Sequence, residues 1–352
     1  MPHGSLNFLP WAASKLVKRI KLEIAPGVET EFVDRDRALA QIAEWAERGT
    51  RFPIVIFGPE GCGKTAFLRQ AAAMLRELGY DAIYVDAAHL HFMAHTDVTD
   101  VVRRLIDATA ETSGVAQLKL ANLVIDIVKE LLDRWGRRKV AVLIDEAFQA
   151  VGVDKAGLYV KNLLNLIEYP PKSYERIVAV AATSEGLSRR EIGRHRWGRL
   201  MMMWNMPREG FQRLYEKLPG PKPPFEDVWR WTGGNPSVLA ALYENRWRWD
   251  DAVRAFIEQR EVAYIIRSLT PTERTWLEET VDDPDTLFAR ERMSLLNKLV
   301  EVNMVAEVMG RYQYLWVDEP PPERNPEQGV GRNVAWQTPL HREAVRRALR
   351  ET

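Results

Sequence analysis

One short stretch of the chain combines glycines, a lysine and a threonine at a spacing that suits phosphate binding. Residues 58–65 read Gly-Pro-Glu-Gly-Cys-Gly-Lys-Thr, a complete G-x-x-x-x-G-K-T pattern. The apolar run at 54–57 predicts a buried strand before it, and the apolar spacing after it predicts a helix. The alternative is an ordinary glycine-rich turn, but the complete pattern between a strand and a helix favours nucleotide binding.

The physical chemistry of such a loop assigns roles to its side chains and backbone. Successive N–H groups form an anion-binding nest, and the helix N-terminus adds positive charge. Lys64 is predicted to reach the β- and γ-phosphates and to take part in catalysis, and the Thr65 hydroxyl to ligate Mg²⁺. The residues predicted to contact ATP or ADP here are Gly58, Pro59, Glu60, Gly61, Cys62, Gly63, Lys64, Thr65 and Ala66.

A second group of candidate residues follows a continuous apolar run at 140–144. Such a run is typical of a parallel strand covered on both faces. Asp145 comes directly after it and is predicted to hold Mg²⁺; Glu146 is predicted to be the general base that polarises the attacking water. Acids end many strands by chance. A position about 80 residues after a phosphate-binding loop, with a helix and a strand between, favours the ATPase interpretation.

Two further features could act on a triphosphate. The apolar run at 177–182 ends in Thr183 and Ser184, and a hydroxyl there, assigned to Thr183, is predicted to sense the γ-phosphate and orient water; the alternative is simple helix capping. A basic segment follows, in which one residue could serve as an arginine finger or the whole could be a solvated face. Its members are Arg189, Arg190, Arg194, Arg196 and Arg199.

The elements that must position these residues alternate between strands and helices over residues 30–207. That alternation predicts an α/β core with a parallel sheet and right-handed crossovers. Residues 1–29 are predicted to be a mixed arm, and 208–268 a small helical domain with one long helix at 251–269. In 269–352 two helices, the first capped by Thr270 and Glu273, precede two short strands around Gly310 that are predicted to pair as a β-hairpin. This order predicts a winged-helix domain; the alternative is a small packing module that never touches DNA.

Composition limits the class of protein. A length of 352 residues suggests about two or three domains, and a hydrophobic content of 46% suffices for packed cores. Because its formal net charge is 0, the chain has no overall electrostatic field that would attract it to nucleic acid or to a membrane. Cys62 is the only cysteine, which excludes an internal disulfide and indicates a reducing interior.

The same sequence gives an expectation for location. No apolar run approaches the roughly 18 residues of a membrane span, and the first residues lack the order of a signal peptide. We therefore expect a cytoplasmic protein that does not bind a membrane. Arginine outnumbers lysine, which hints at a thermophile.

Four motifs together resemble the archaeal ATPase family of the STAND class of AAA+-related P-loop NTPases. They are EFVDRDRAL at 31–39, GPEGCGKT at 58–65, VLIDEA at 142–147 and TGGNPSVL at 232–239. The resemblance implies that Phe32, Val33 and Arg35 lie near the adenine. It also implies that the Gly-x-Pro motif at 234–236, which reads Gly234-Asn235-Pro236, contacts the nucleotide. The domain order is also similar to that of the archaeal origin-recognition ATPases. Some STAND members carry an arginine directly after the strand that corresponds to 177–182, and this chain has no arginine at that position.

Three functions follow as expectations. The first is a Mg²⁺-dependent ATPase with slow turnover that acts as a nucleotide-driven switch on a protein partner, or through self-association. The second is a DNA-associated ATPase that binds duplex DNA through its winged helix, although Arg290, Arg292 and Lys298 give the predicted recognition helix only modest basic charge. The third, a kinase or other transferase, is the weakest because no acceptor pocket is indicated.

Overall fold

The computed structural model describes residues 18–111, 115–135, 138–184 and 186–351. The strands are β1 (Lys21–Ala25), β2 (Val28–Glu31), β3 (Ile54–Phe57), β4 (Asp81–Asp86), β5 (His91–His95), β6 (Lys139–Asp145), β7 (Arg176–Thr183), β8 (Arg199–Met203), β9 (Val305–Glu307), β10 (Trp316–Val317) and β11 (Val334–Trp336). The predicted arm at 1–29 lies outside the described residues up to residue 17, and its remainder contains β1 and the start of β2.

Helices account for most of the remaining structure. They are α1 (Asp36–Arg48), α2 (Lys64–Glu77), α3 (Thr99–Thr109), α4 (Ala116–Trp135), α5 (Ala147–Val151), α6 (Ala156–Glu168), α7 (Gly186–Gly193), α8 (Arg208–Lys217), α9 (Phe225–Thr232), α10 (Pro236–Glu244), α11 (Trp249–Gln259), α12 (Val262–Arg267), α13 (Pro271–Asp282), α14 (Met293–Glu301) and α15 (Pro339–Glu351). Among the described residues, no helix is both long and apolar enough to cross a membrane.

The described chain divides into two compact units. Unit 1 comprises residues 18–20, 35–57 and 64–201, and unit 2 comprises 21–34, 58–63 and 202–351. The phosphate-binding motif is therefore shared, with 58–63 in unit 2 and the lysine and threonine in unit 1. The domain boundaries at 207 and 268 stay a prediction.

Unit 1 is built on a sheet whose strands lie in the order β8-β3-β7-β6-β4-β5. Strands β3, β7, β6 and β4 run parallel, and β5 is antiparallel to β4. The parallel strands are apolar throughout because helices cover them; residues 140–144, for example, are all 0% exposed. The core joins β3, β4, β6 and β7 to helices α3, α4 and α6. The predicted α/β core with its parallel sheet is confirmed.

Unit 2 contains the hairpin of β1 and β2, helices α8 to α15 and the antiparallel pair of β9 and β11. The two residues of β10 pair in parallel with Met202 and Met203 at the end of β8. The predicted cap of α13 is confirmed, since the Thr270 hydroxyl accepts from the Glu273 N–H at 3.2 Å while the Glu273 carboxylate accepts from the Thr270 N–H at 3.0 Å.

Two sequence-based expectations for this unit are wrong. The single helix at 251–269 is two helices, because Glu261 adopts a left-handed backbone with φ of 50° that ends the hydrogen-bond ladder between α11 and α12. The two strands around Gly310 exist, but β9 pairs with β11 rather than with β10. The Asp285 carboxylate fixes the segment before β11 by accepting the N–H groups of Arg332, Asn333 and Val334 at 2.6–3.0 Å.

Candidate nucleotide-binding site

Asp145 is a buried carboxylate at the carboxyl end of strand β6 in unit 1. It is 0% exposed, and burial raises its pKa to about 6 because the charged form is poorly solvated there. The Tyr84 hydroxyl donates to its Oδ2 at 3.3 Å. Asp86, at the end of the neighbouring strand β4, lies opposite Asp145 in the parallel register and adds a second negative charge.

The lysine and threonine of the glycine-rich motif lie close to Asp145. Lys64 and Thr65 are the first two residues of α2, and Lys64 is only 5% exposed. A hydrogen bond from the Thr65 hydroxyl and the positive charge of Lys64 both lower the pKa of Asp145, against the effect of burial. Unit 1 thus brings Lys64 and Thr65 together with Asp145, which lies about 80 residues further along the sequence.

One oxygen of Asp145 has the surroundings expected of a cation ligand. Nothing within the described residues donates a hydrogen bond to the buried Oδ1. A buried carboxylate oxygen without a donor is costly unless a positive charge or a proton meets it. A carboxylate and a neighbouring hydroxyl are hard oxygen ligands, the kind that Mg²⁺ takes beside substrate phosphates. The side chains of Asp145 and Thr65 therefore fit a magnesium ion.

Glu146 follows in a strained backbone conformation, with φ of 49° and ψ of 30°. Its carboxylate accepts hydrogen bonds from Ser184 and from Gln149 of α5. Thr183, predicted as the catalytic hydroxyl, is 0% exposed at the end of β7. The next residue, Ser184, supplies a hydroxyl that donates to the Glu146 carboxylate at 2.9 Å.

The loop at 58–63, in unit 2, needs its glycines for steric reasons. Gly61 and Gly63 have φ of 73° and 101°, which side chains rarely tolerate. A Cβ on Gly58 would lie 1.9 Å from the carbonyl oxygen of Met203, closer than any atom can pack. Cys62 is buried, with its Sγ 3.7 Å from the same carbonyl oxygen, and so fills space inside the loop.

Every polar group of Glu60, at the centre of that loop, is held by side chains of unit 2. Its N–H donates to Oε1 of Gln337 at 2.8 Å, and its carbonyl accepts from Nδ2 of Asn235 at 2.9 Å. Its carboxylate forms an ion pair with Arg260 at 2.6 Å. Asn205 closes the network, donating to the Gln337 carbonyl and accepting from Asn235, both at 2.8 Å. The three amide side chains are at most 4% exposed, so the network is buried.

The motif at 234–236 touches the loop through its asparagine. Asn235 caps helix α10, its Oδ1 accepting the N–H groups of Ser237 and Val238 at 3.0 and 3.1 Å. The Ser237 N–H also lies 3.3 Å from the Gly61 carbonyl oxygen. Pro236 occupies the first helical position, where its fixed φ suits the helix. Contact of Pro236 with the nucleotide stays a prediction.

The motif at 31–39 is divided between the two units. In unit 2, Phe32 is buried and Val33 packs against the cluster around Phe211. In unit 1, Arg35 is 3% exposed and precedes helix α1 in a left-handed conformation with φ of 60°. Their place near the adenine stays a prediction.

The basic segment after β7 contains differing environments. The Arg189 guanidinium lies 4.9 Å from the centre of the Phe57 ring, at the end of β3. Arg194 forms an ion pair with Glu191 at 2.7 Å, within its own helix region. The contact with Phe57 places Arg189 next to the end of the strand that precedes the loop.

A family comparison decides the identity of the fold. Residues 32–242, more than half of the chain, match a family described as an ATPase domain predominantly from Archaea. The chain belongs to this archaeal ATPase family. Its membership confirms the α/β P-loop ATPase fold and nucleotide binding as predicted from the motifs, and it supports ATP hydrolysis in general.

Curated relatives of the archaeal ATPase domain match only part of the chain. Cytoplasmic dynein 2 heavy chain 1 of Mus musculus is 26% identical over 181 residues, which is 49% of this chain and 4% of that protein. The same protein of Rattus norvegicus is 26% identical over 171 residues, 46% of this chain and 4% of that one. The chain thus spans a very small share of the length of these relatives.

Solved structures are similar to the chain at lower sequence identity. The Walker-type ATPase PaBY2304 of Pyrococcus abyssi is 15% identical with a TM-score of 0.48, covering 90% of this chain and 96% of that one. The ORC1 protein of Aeropyrum pernix in complex with DNA is 17% identical with a TM-score of 0.39, covering 91% and 93%. AMPPCP-bound DnaA from Aquifex aeolicus is 16% identical with a TM-score of 0.37, covering 75% and 76%.

Some residues of the site were missed by sequence reasoning. Asp86 had a usable signal, because it ends a strand next to the acidic strand. Ser184 had a partial signal, as one of two hydroxyls at a strand end. Asn205, Arg260 and Gln337 had none, since no motif connects them to the loop at 58–63.

Proposed function

We propose that the protein is a Mg²⁺-dependent ATPase whose nucleotide state drives a conformational switch that acts on a protein partner or on a second copy of the chain. One observation carries the ATPase part of the proposal. Asp145 lies next to Thr65 and Lys64, and its buried Oδ1 receives no hydrogen bond from any described residue. A catalytic site for phosphoryl transfer needs little covalent chemistry from the protein and consists mainly of positioned charge.

The residues take the following roles. The backbone at 58–66 holds the phosphates, Lys64 neutralises the β- and γ-phosphates, and Thr65 and Asp145 hold the metal ion. When bound, Mg²⁺ neutralises charge on the phosphate oxygens. Glu146 accepts a proton from the attacking water, whose oxygen bonds to the γ-phosphorus. The bond from that phosphorus to the β-γ bridging oxygen breaks, and its electron pair leaves with ADP. The Thr183 hydroxyl senses the γ-phosphate.

The switch part of the proposal rests on Glu60. Its N–H and carbonyl are bonded to Gln337 and Asn235, so a change in the loop backbone on nucleotide binding must alter buried hydrogen bonds far along the chain. The hydrogen bond between Asn235 and Glu60 also supports assignment to the STAND class. Asn235 belongs to the motif at 234–236, which by the family resemblance contacts the nucleotide. Slow turnover is part of this assignment.

The winged-helix assignment for 269–352 is supported by helices α13 and α14 and the strand pair of β9 and β11. One basic side chain of α14 and one in the turn before it form ion pairs within unit 2. Their charges are therefore partly neutralised, which weakens the alternative of duplex DNA binding. Lys298 forms an ion pair with Glu273 at 2.7 Å, and Arg292 forms one with Glu279 at 2.6 Å. We therefore favour a protein partner over DNA.

Substitution of the loop lysine tests the proposed function. We expect Lys64→Ala to lose ATP binding in calorimetry and hydrolysis in a phosphate-release assay, because the phosphates lose their positive counter-charge. Lys217→Ala, which removes an exposed lysine of α8, is the matched control and should leave both unchanged. Wild-type turnover in Lys64→Ala would refute the site.

A further inference from the structure

Ser184 grips the carboxylate of Glu146 at both oxygens. Its backbone N–H lies 3.1 Å from Oε1 and 3.2 Å from Oε2, and its hydroxyl donates to Oε1 at 2.9 Å. Gln149 adds a donor to Oε2 at 3.3 Å. Donors from two elements, the end of β7 and helix α5, therefore converge on one side chain.

The backbone of Glu146 is held as well. Its N–H donates to the Ala182 carbonyl at 3.0 Å, so main chain and side chain are both tied to the end of β7. Its φ of 49° is a conformation that a residue with a side chain adopts only when its surroundings impose it. Hydrogen bonds from Ser184 and Gln149 thus hold this carboxylate in place.

A general base must present a free lone pair to the water whose proton it takes. A carboxylate has about four lone-pair sites, and the donors from Ser184 and Gln149 engage both of its oxygens. A carboxylate in this arrangement is occupied with the protein before any water arrives.

We infer that Ser184 is a positioning residue that keeps Glu146 in a resting orientation, so that ATP turnover requires the Ser184 hydroxyl to release the carboxylate. This inference rests on the proposed role of Glu146 as the general base. Removing the hydroxyl should ease the release while the backbone N–H of residue 184 still anchors the carboxylate. The effect falls on the chemical step and not on nucleotide affinity, since Ser184 acts through Glu146.

The test is steady-state ATP hydrolysis by the full chain. We expect Ser184→Ala to raise kcat about fivefold, the effect of one lost hydrogen bond, with an unchanged KM for ATP. Ser184→Thr keeps a hydroxyl and should restore the wild-type kcat. Gln149→Ala removes one weaker donor, should raise kcat about twofold, and gives a second reading if Ser184→Ala does not fold. Ser268→Ala, which removes an exposed hydroxyl bonded to the Ile265 carbonyl, is the matched control.

The outcomes separate this inference from the proposed function. If Glu146→Gln abolishes hydrolysis while Ser184→Ala and Gln149→Ala leave kcat unchanged or lower it, the resting orientation is wrong and Glu146 remains the base. If Glu146→Gln hydrolyses ATP at the wild-type rate, the base assignment fails first. The double variant of Ser184→Ala and Glu146→Gln should be inactive, because the gain in rate acts through that carboxylate.

Discussion

The Oε1 atom of Gln337 accepts the backbone N–H of Glu60 at 2.8 Å, joining two residues that are 277 positions apart. Glu60 is an inner residue of the phosphate-binding motif, and Gln337 lies two residues before helix α15. Both belong to unit 2, and Gln337 is 3% exposed. The backbone that should carry the phosphates is therefore hydrogen-bonded to the C-terminal region.

Replacing this glutamine tests whether the bond shapes the loop. Gln337→Leu leaves the Glu60 N–H without its acceptor, which costs about 1–3 kcal/mol for a buried group. We expect an ATP affinity about tenfold weaker by isothermal titration calorimetry, because the loop backbone loses an anchor. Gln212→Leu removes an exposed amide that donates to Glu216 in its own helix, and it serves as the control. Equal affinities of Gln337→Leu and wild type would exclude a role in shaping the loop.

Gly58 gives a steric prediction. Gly58→Ala would place Cβ 1.9 Å from the Met203 carbonyl oxygen, so the loop or the strand end must move. We expect a loss of about 2 kcal/mol in the free energy of unfolding by urea titration, together with weaker ATP binding. In Gly193→Ala the new Cβ would lie 3.4 Å from a Leu200 methyl group, an ordinary contact, so its stability should match the wild type. A stable Gly58→Ala protein with normal affinity would contradict the close packing of this loop.

The parts of the fold and of the site that depend on local sequence patterns could be predicted from the sequence. The glycine-rich loop, the apolar strand ending in Asp145 and the capping pair of Thr270 and Glu273 each depend on residues within a few positions of one another. The apolar runs at 140–144 and 177–182 likewise predicted strands buried on both faces. These elements could be predicted because local conformation and burial dictate the residue types directly.

The remainder depended on contacts that no local pattern encodes. Helical periodicity continues through Glu261, but that residue adopts a left-handed conformation and divides the predicted helix. Strand β9 pairs with β11, and Asp285, which is distant in sequence, holds the segment that leads into β11. From its polar side chain alone Gln337 would be expected at the surface, whereas the structure shows that it is buried. Long-range pairing of this kind is set by tertiary packing.

His341 gives a prediction for the dependence of stability on pH. Burial, with the charge of Arg260 adding to it, lowers the pKa of His341 to about 3, and its Nδ1 lies 2.8 Å from the Thr338 hydroxyl. The histidine is neutral in the folded chain and takes up a proton near pH 6.5 when unfolded. The unfolded state therefore binds more protons below pH 6.5, and His341 removes about 1.4 kcal/mol of stability per pH unit as the pH falls from 6.5 toward 3.

The measurement compares urea unfolding of wild type and His341→Gln across that range. Other acidic groups affect both proteins, so the difference between their free energies of unfolding isolates the histidine. The wild type should lose stability relative to the variant as the pH falls. A difference that is constant with pH would mean that His341 is protonated in the folded state or exposed to solvent.

DNA binding provides a test of the alternative function. Because Lys298 and Arg292 are paired with Glu273 and Glu279, we expect duplex DNA to bind weakly and with little salt dependence in fluorescence anisotropy. A protein that contacts about six phosphates loses about a thousandfold in affinity between 50 and 200 mM salt. A salt dependence of that steepness, reduced in Lys298→Ala, would favour the DNA-associated ATPase instead of the switch on a protein partner.

Single-turnover hydrolysis by Glu146→Gln tests whether this chain hydrolyses ATP with Glu146 as the general base. The variant keeps Lys64, Thr65 and Asp145, so radiolabelled ATP should still bind with wild-type affinity. Loss of the base should slow conversion of the bound ATP to ADP by about 10²–10⁴-fold. Conversion at the wild-type rate would contradict the account, because a group other than Glu146 would then accept the proton of the attacking water.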